Sequence, residues 1–114
     1  MKLAIVGSRD LTELDRIYQF MISLPKDTII VSGGAIGVDQ VAEICAKRLN
    51  LGTKIFKPNY DEYDGSLAPL IRNKQIVDYA DVIVAFWDGK SRGTKYTIDY
   101  AIKRKKKVTM VRCK

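Results

Sequence analysis

Five short runs of apolar, largely β-branched residues recur along the chain: Lys2 to Val6, Thr28 to Val31, Thr53 to Phe56, Val82 to Phe86 and Val108 to Val111. Each predicts a buried strand. The segments between them carry apolar residues at helical spacing instead. Leu14, Ile17, Tyr18 and Met21 mark a first helix; Val38, Val41, Ala42, Cys45 and Leu49 mark a second. Leu67, Leu70, Ile71, Ile76, Val77 and Ala80 mark a third, and Thr94, Ile98, Ala101 and Ile102 a fourth. Such i, i+3, i+4, i+7 stripes bury one helix face. The punctuation agrees: Thr12-x-x-Asp15 has the form of a capping box, Pro25 stops the first helix, and Gly52 suits the position just beyond the second.

Strict alternation of apolar strands and helices predicts a parallel sheet covered on both faces, with right-handed crossovers. The expected architecture is therefore an α/β, doubly wound (Rossmann-like) five-stranded parallel sheet of order 3-2-1-4-5. This order places a switch point between the first and fourth strands. The 114 residues suffice for one such domain, 1–114, with a core of its own. No apolar run reaches the length of a membrane span, and the N-terminus turns polar too soon for a signal peptide, so a cytoplasmic protein is expected.

Composition removes several chemistries. There is no histidine, and the two cysteines, Cys45 and Cys113, are far apart. The common zinc sets and any Ser-His or Cys-His catalytic pair are thus out of reach, and both cysteines read as buried free thiols. No metal or cofactor is called for. A net charge of +7 favours anionic partners, nucleotides or nucleic acid alike. Much of it sits in Lys103-Arg104-Lys105-Lys106-Lys107, which reads as cations gathered at a helix C-terminus, the alternative being a phosphate-backbone patch.

In a parallel sheet all strand-to-helix loops emerge at one edge, and three of them here have ligand chemistry. The richest, Ser32-Gly33-Gly34-Ala35-Ile36-Gly37-Val38-Asp39, runs from strand through glycine turn into helix, the order of parts that builds an anion cradle. It is neither the dinucleotide fingerprint nor a P-loop. Gly7-Ser8-Arg9-Asp10 offers a close backbone approach, a hydroxyl and a guanidinium. Trp87-Asp88-Gly89-Lys90-Ser91-Arg92-Gly93-Thr94 adds glycines, hydroxyls and cations before the fourth helix. Flanking the switch point, these loops should converge on one crevice. Ser8, Ser32 and Thr94 each also suit turn or cap duty. Asp39 suits either a ribose or the first-turn amides of its own helix. Trp87, Tyr60 and Tyr63 are candidates for base stacking or for local packing.

Gly7-Ser8-Arg9, the Ser32 to Asp39 turn, Arg72-Asn73, and Gly93-Thr94 with Ala101, in that order and spacing, resemble the SLOG superfamily of Rossmann-like nucleotide-binding proteins, most of all its small YspA-type branch. The resemblance spans nearly the whole chain. It implies that Gly33, Gly34, Ala35, Gly37 and Asp39 line a ligand pocket with Ser8 and Arg9 beside them. It also implies a pocket role for Gly93 and Thr94, and it alone brings in Arg72 and Asn73. Relatives include the LOG phosphoribohydrolases, which carry a glutamate shortly after a P-G-G-x-G-T motif. Here Gly93-Thr94 is followed by Lys95, Tyr96, Thr97 and Ile98, with no acid before Asp99. Relatives also include the DNA-processing protein A family, which binds single-stranded DNA.

The leading expectation is a domain that binds a nucleotide or nucleotide-derived phosphate ligand at the carboxyl edge of its sheet, as sensor, sequestering protein or hydrolase. One alternative is a phosphoribohydrolase-like enzyme acting on nucleoside monophosphates, with Asp39, Asp88 or Asp10 assisting. Another is a single-stranded nucleic-acid binding module, whose affinity should fall steeply with salt. A homodimer is plausible from relatives in the superfamily.

Overall fold

Within the first strand, alternate side chains separate to opposite sides of the sheet, Leu3 and Ile5 into one core and Ala4 and Val6 into another. A computed structural model describes residues 1–114. In chain order its elements are β1 (Lys2–Gly7), α1 (Asp15–Met21), β2 (Ile29–Ser32), α2 (Val38–Arg48) and β3 (Gly52–Ile55). There follow α3 (Ala68–Tyr79), β4 (Val82–Trp87), α4 (Arg92–Lys103) and β5 (Lys107–Arg112). All strand pairs are parallel and the order is β3-β2-β1-β4-β5. The expected topology holds.

The sheet separates two apolar layers. On one face Ile17, Met21, Val38, Ala42 and Cys45 of α1 and α2 pack on Leu3, Ile5, Ile30, Val84 and Phe86. On the other, Ile76, Val77, Ala80, Ile98 and Ala101 pack on Ala4, Val6, Val31, Ile83 and Ala85. Burying each Ile, Val or Phe of this kind contributes roughly 1.5–3 kcal/mol against chain entropy.

Three local expectations are corrected. The outer strands are not buried: most residues of β3 and β5 are exposed, because each lies at an open edge. Thr12 does not cap α1, which begins at Asp15 without a side-chain cap. The Thr12 hydroxyl instead donates to the Lys114 carbonyl, at 3.0 Å. Gly52 does not follow α2 directly but lies within β3, and Asn50, at φ 57°, takes the left-handed position. The amides of Asn50 and Leu51 then close on the carbonyls of Lys47 and Ala46, the double bond of a Schellman ending.

The end of the chain is fastened to the loop after β1. Lys114 O accepts from the amides of Thr12 (2.7 Å) and Glu13 (3.0 Å), and the Lys114 amide donates to Glu13 Oε1 at 2.7 Å. Arg16 Nη1 donates to the Arg112 carbonyl at 2.6 Å. No helix is long and apolar enough to cross a membrane.

Candidate functional site

At the carboxyl edge, beside the β1–β4 switch point, lies a cavity of about 180 Å³. Gly7 closes the end of β1. Ala35, Ile36 and Asp39 come from the α2 entry, and Ser91, Gly93, Thr94 and Thr97 from the start of α4. Pro69, Arg72, Asn73 and Ile76 line the third wall. Their spacing of i, i+3, i+4 and i+7 means that one face of α3 forms that wall.

The glycine turn is shaped by two close approaches. Gly37, at φ 93°, is the residue before α2, and a Cβ there would lie 2.8 Å from the Arg9 carbonyl oxygen. A Cβ on Gly33 would run into the Arg72 guanidinium and lie 2.9 Å from Asp39 Oδ2. No side chain caps α2. Its N-terminal amides therefore keep their capacity for an anion or water.

Arg72 is buried, with Nη1 donating to the Gly33 carbonyl and Nε donating to Asn73 Oδ1 at 2.8 Å. Burial lowers its pKa from the ordinary value, while the nearby Asp39 and Tyr60 pull the other way. Asp39 is 9% exposed, and its Oδ2 accepts from the Ala35 amide at 3.2 Å. Burial pushes its carboxyl up, against the Ala35 bond and Arg72, which lower it. Glu43, whose buried Oε1 has no partner, adds to the rise. Two like charges 4 Å apart repel by about 4 kcal/mol at an effective dielectric near 20. A phosphate is thus disfavoured directly against an ionised Asp39.

The structure brings Gly7, Arg9, Ala35, Asp39, Arg72, Asn73, Gly93 and Thr94 to the cavity wall. Ser8, Ser32, Gly33, Gly34 and Gly37 do not line it but shape its surroundings. Ser8 Oγ, buried, accepts from the Asp88 amide at 3.2 Å, tying the loop after β1 to the loop after β4. Ser32 Oγ donates to the Asp39 carbonyl at 3.5 Å, and Gly34 turns the loop at φ 71°.

The loop before α4 is largely self-satisfied. Asp88 Oδ1 accepts from the amides of Lys90 and Ser91, both at 2.8 Å, and Ser91 Oγ accepts from the Thr94 amide at 3.4 Å. A Cβ on Gly93 would meet nothing within 4 Å, so the helix entry is open there. Trp87 packs locally, its indole N–H donating to the Ser91 carbonyl at 3.0 Å. Tyr60 is exposed.

Of the three candidate carboxylates only Asp39 lines the cavity; Asp10 is exposed and Asp88 is bound to its own loop. Asp99 pairs with Lys95 at 2.8 Å on the exposed side of α4. No group of three or more metal-ligating side chains occurs. The basic block lies at the other end of the molecule, because α4 enters at the carboxyl edge and carries Lys103 to the opposite one. Twelve residues place it about 18 Å away along the axis. There Arg104 pairs with Asp78 at 3.2 Å and Lys106 donates to the Ala80 carbonyl at 2.8 Å.

Reasoning from loops missed Pro69, Ile76 and Thr97, and reached Arg72 and Asn73 only by resemblance. The α3 face carried a signal: two polar residues interrupt the stripe that begins at Pro69 and ends at Ile76.

The sequence model of the family described as DNA recombination-mediator protein A matches residues 1–56, the span of β1 to β3 with the glycine turn and Asp39. That span is just under half of the chain. DNA processing protein A of Streptococcus pneumoniae superposes on it with a TM-score of 0.84 at 18% identity, over 96% of this chain and 49% of that one. DNA processing protein A of Helicobacter pylori, a structure described for its single-stranded DNA binding mode, gives 0.68 at 24% identity, over 96% of this chain and 64% of that one. At these identities the likeness establishes the shared Rossmann-like fold. The chain spans about half of the pneumococcal protein and less than two-thirds of the other. No curated protein matches the chain.

Proposed function

We propose that the cleft at the carboxyl edge binds single-stranded nucleic acid. The observation that carries this is the combination, around one open cavity, of exposed Arg9, the unobstructed α4 entry at Gly93 and the uncapped α2 entry. All three suit phosphate oxygens. Ile36, 71% exposed beside the cavity, gives an unstacked base an apolar surface, and exposed Tyr60 stands near Arg72. The relation to DNA processing protein A and the net charge of +7 support the same reading.

Fluorescence anisotropy with a labelled oligothymidylate tests it. Binding should weaken with salt and with Arg9→Ala, and should exceed binding to a duplex. Undetectable binding at low ionic strength would sink it.

The small size of the cavity, about 180 Å³, favours a second reading in which a nucleotide or nucleotide-derived phosphate ligand is held or hydrolysed there. Titration calorimetry with nucleoside mono- and diphosphates and ADP-ribose tests that reading, and absence of heat with every member counts against it.

A further inference from the structure

The inner wall of the cavity presents the wrong charge for a phosphate and the right groups for a base. Asp39, buried and facing the cavity, is an acceptor with lone pairs left over after its bond to the Ala35 amide. Beside it, Arg72 spends Nη1 on Gly33 and Nε on Asn73, and Asn73 spends Oδ1 on Arg72. Arg72 Nη2 and Asn73 Nδ2 are left as donors without a protein partner. An anionic acceptor flanked by donors, in a desolvated site, selects a ligand edge with adjacent N–H groups next to a carbonyl.

We propose that Asp39, with Asn73 and Arg72, reads the pairing edge of one unpaired guanine, while the strand's phosphates stay at the rim near Arg9 and Gly93. Guanine alone offers two neighbouring donor groups, N1–H and the N2 amine, for the two carboxylate oxygens, with O6 beside them for the Asn73 or Arg72 donors. Adenine turns its N1 acceptor toward the carboxylate. Thymine places one N–H between two carbonyls, and cytosine offers one amine beside two acceptors. In a duplex this edge is already paired, so the same geometry excludes double strands.

The inference rests on the single-strand reading above. Its test is competition anisotropy against labelled oligothymidylate, using unlabelled oligothymidylates with one central guanine, inosine, adenine or thymine. The guanine strand should compete about tenfold better than the all-thymine strand, as a bidentate contact implies. Inosine, which lacks the N2 amine, should fall between. Asp39→Asn should erase the ranking, and Asn73→Ala should narrow it, with folding of both checked by circular dichroism. If all four strands compete equally in the unaltered protein, base reading is overturned while single-strand binding stands. A ranking that survives Asp39→Asn overturns the role of Asp39. If no strand binds, both readings fall.

Discussion

The Gly33 carbonyl accepts a hydrogen bond from Nη1 of Arg72, joining the glycine turn after β2 to the middle of α3 across 39 residues of sequence. Because the donor is charged and buried, losing it leaves a carbonyl without its partner. Arg72→Ala should cost about 1–3 kcal/mol in urea unfolding. Gly33→Ala, which drives a Cβ into the same guanidinium, should be similarly harmful alone and clearly less so once Arg72 is gone, with only the contact at Asp39 Oδ2 remaining. Additive effects in the double variant would argue against this coupling.

Asp39 predicts a pH dependence of a particular sign. Its carboxyl is raised by burial, so between the ordinary value of 3.8 and its native value the folded state holds a proton that the unfolded chain has released. The stability it contributes is present below that window and lost as pH rises through it. Asp81 and Asp88 act oppositely, since backbone amides lower both. The comparison is therefore Asp39→Asn against the unaltered protein: the variant's relative melting temperature should climb with pH through the window and then level. A flat difference would contradict the burial argument.

Gly37→Ala combines a positive φ of 93° with a Cβ 2.8 Å from the Arg9 carbonyl oxygen. It should cost about 1–3 kcal/mol and speed amide exchange in the Arg9 loop. Gly65→Ala, where a Cβ meets nothing within 4 Å, should stay within about 0.5 kcal/mol of neutral.

Cys45 and Cys113 are free and buried, and burial pushes both thiols up. Both should resist Ellman's reagent in the folded protein and react when it is unfolded. Rapid labelling of either in the native state would show that the segment around it opens.

Replacing Lys103, Lys105 and Lys107 by glutamine should leave the salt dependence of oligothymidylate binding almost unchanged, because the block lies at the edge away from the cleft. Arg9→Ala should lower the log-log salt slope by about 0.7 if it contacts one phosphate of a single strand. The reverse outcome would move the binding surface to the α4 C-terminus.

The strand order was legible because the central strands are apolar on both faces, which only a covered parallel sheet permits. What escaped was decided by partners far away in sequence. Thr12 reads as a cap until the Lys114 carbonyl is beside it. Gly52 reads as a helix terminator, but Asn50 adopts the left-handed conformation two residues earlier and leaves the glycine to β3. Arg72 reads as an ordinary helix cation, and only the fold reveals that its guanidinium fills the space left by a missing Cβ on Gly33. Lys103 to Lys107 read first as cations at a helix C-terminus, which is where α4 ends, and its direction sets them at the opposite edge from the glycine turn.

The bonds between Lys114 and the Thr12–Glu13 segment make the loop carrying Arg9 the first thing to feel tension at the C-terminal end. A pull on Lys114 would load these few loop bonds before it loaded the β4–β5 ladder. A segment fused beyond Lys114 would therefore act as a lever on the rim of the cleft, and strain in such a linker would register there as a displaced Arg9 while the two apolar layers stayed intact.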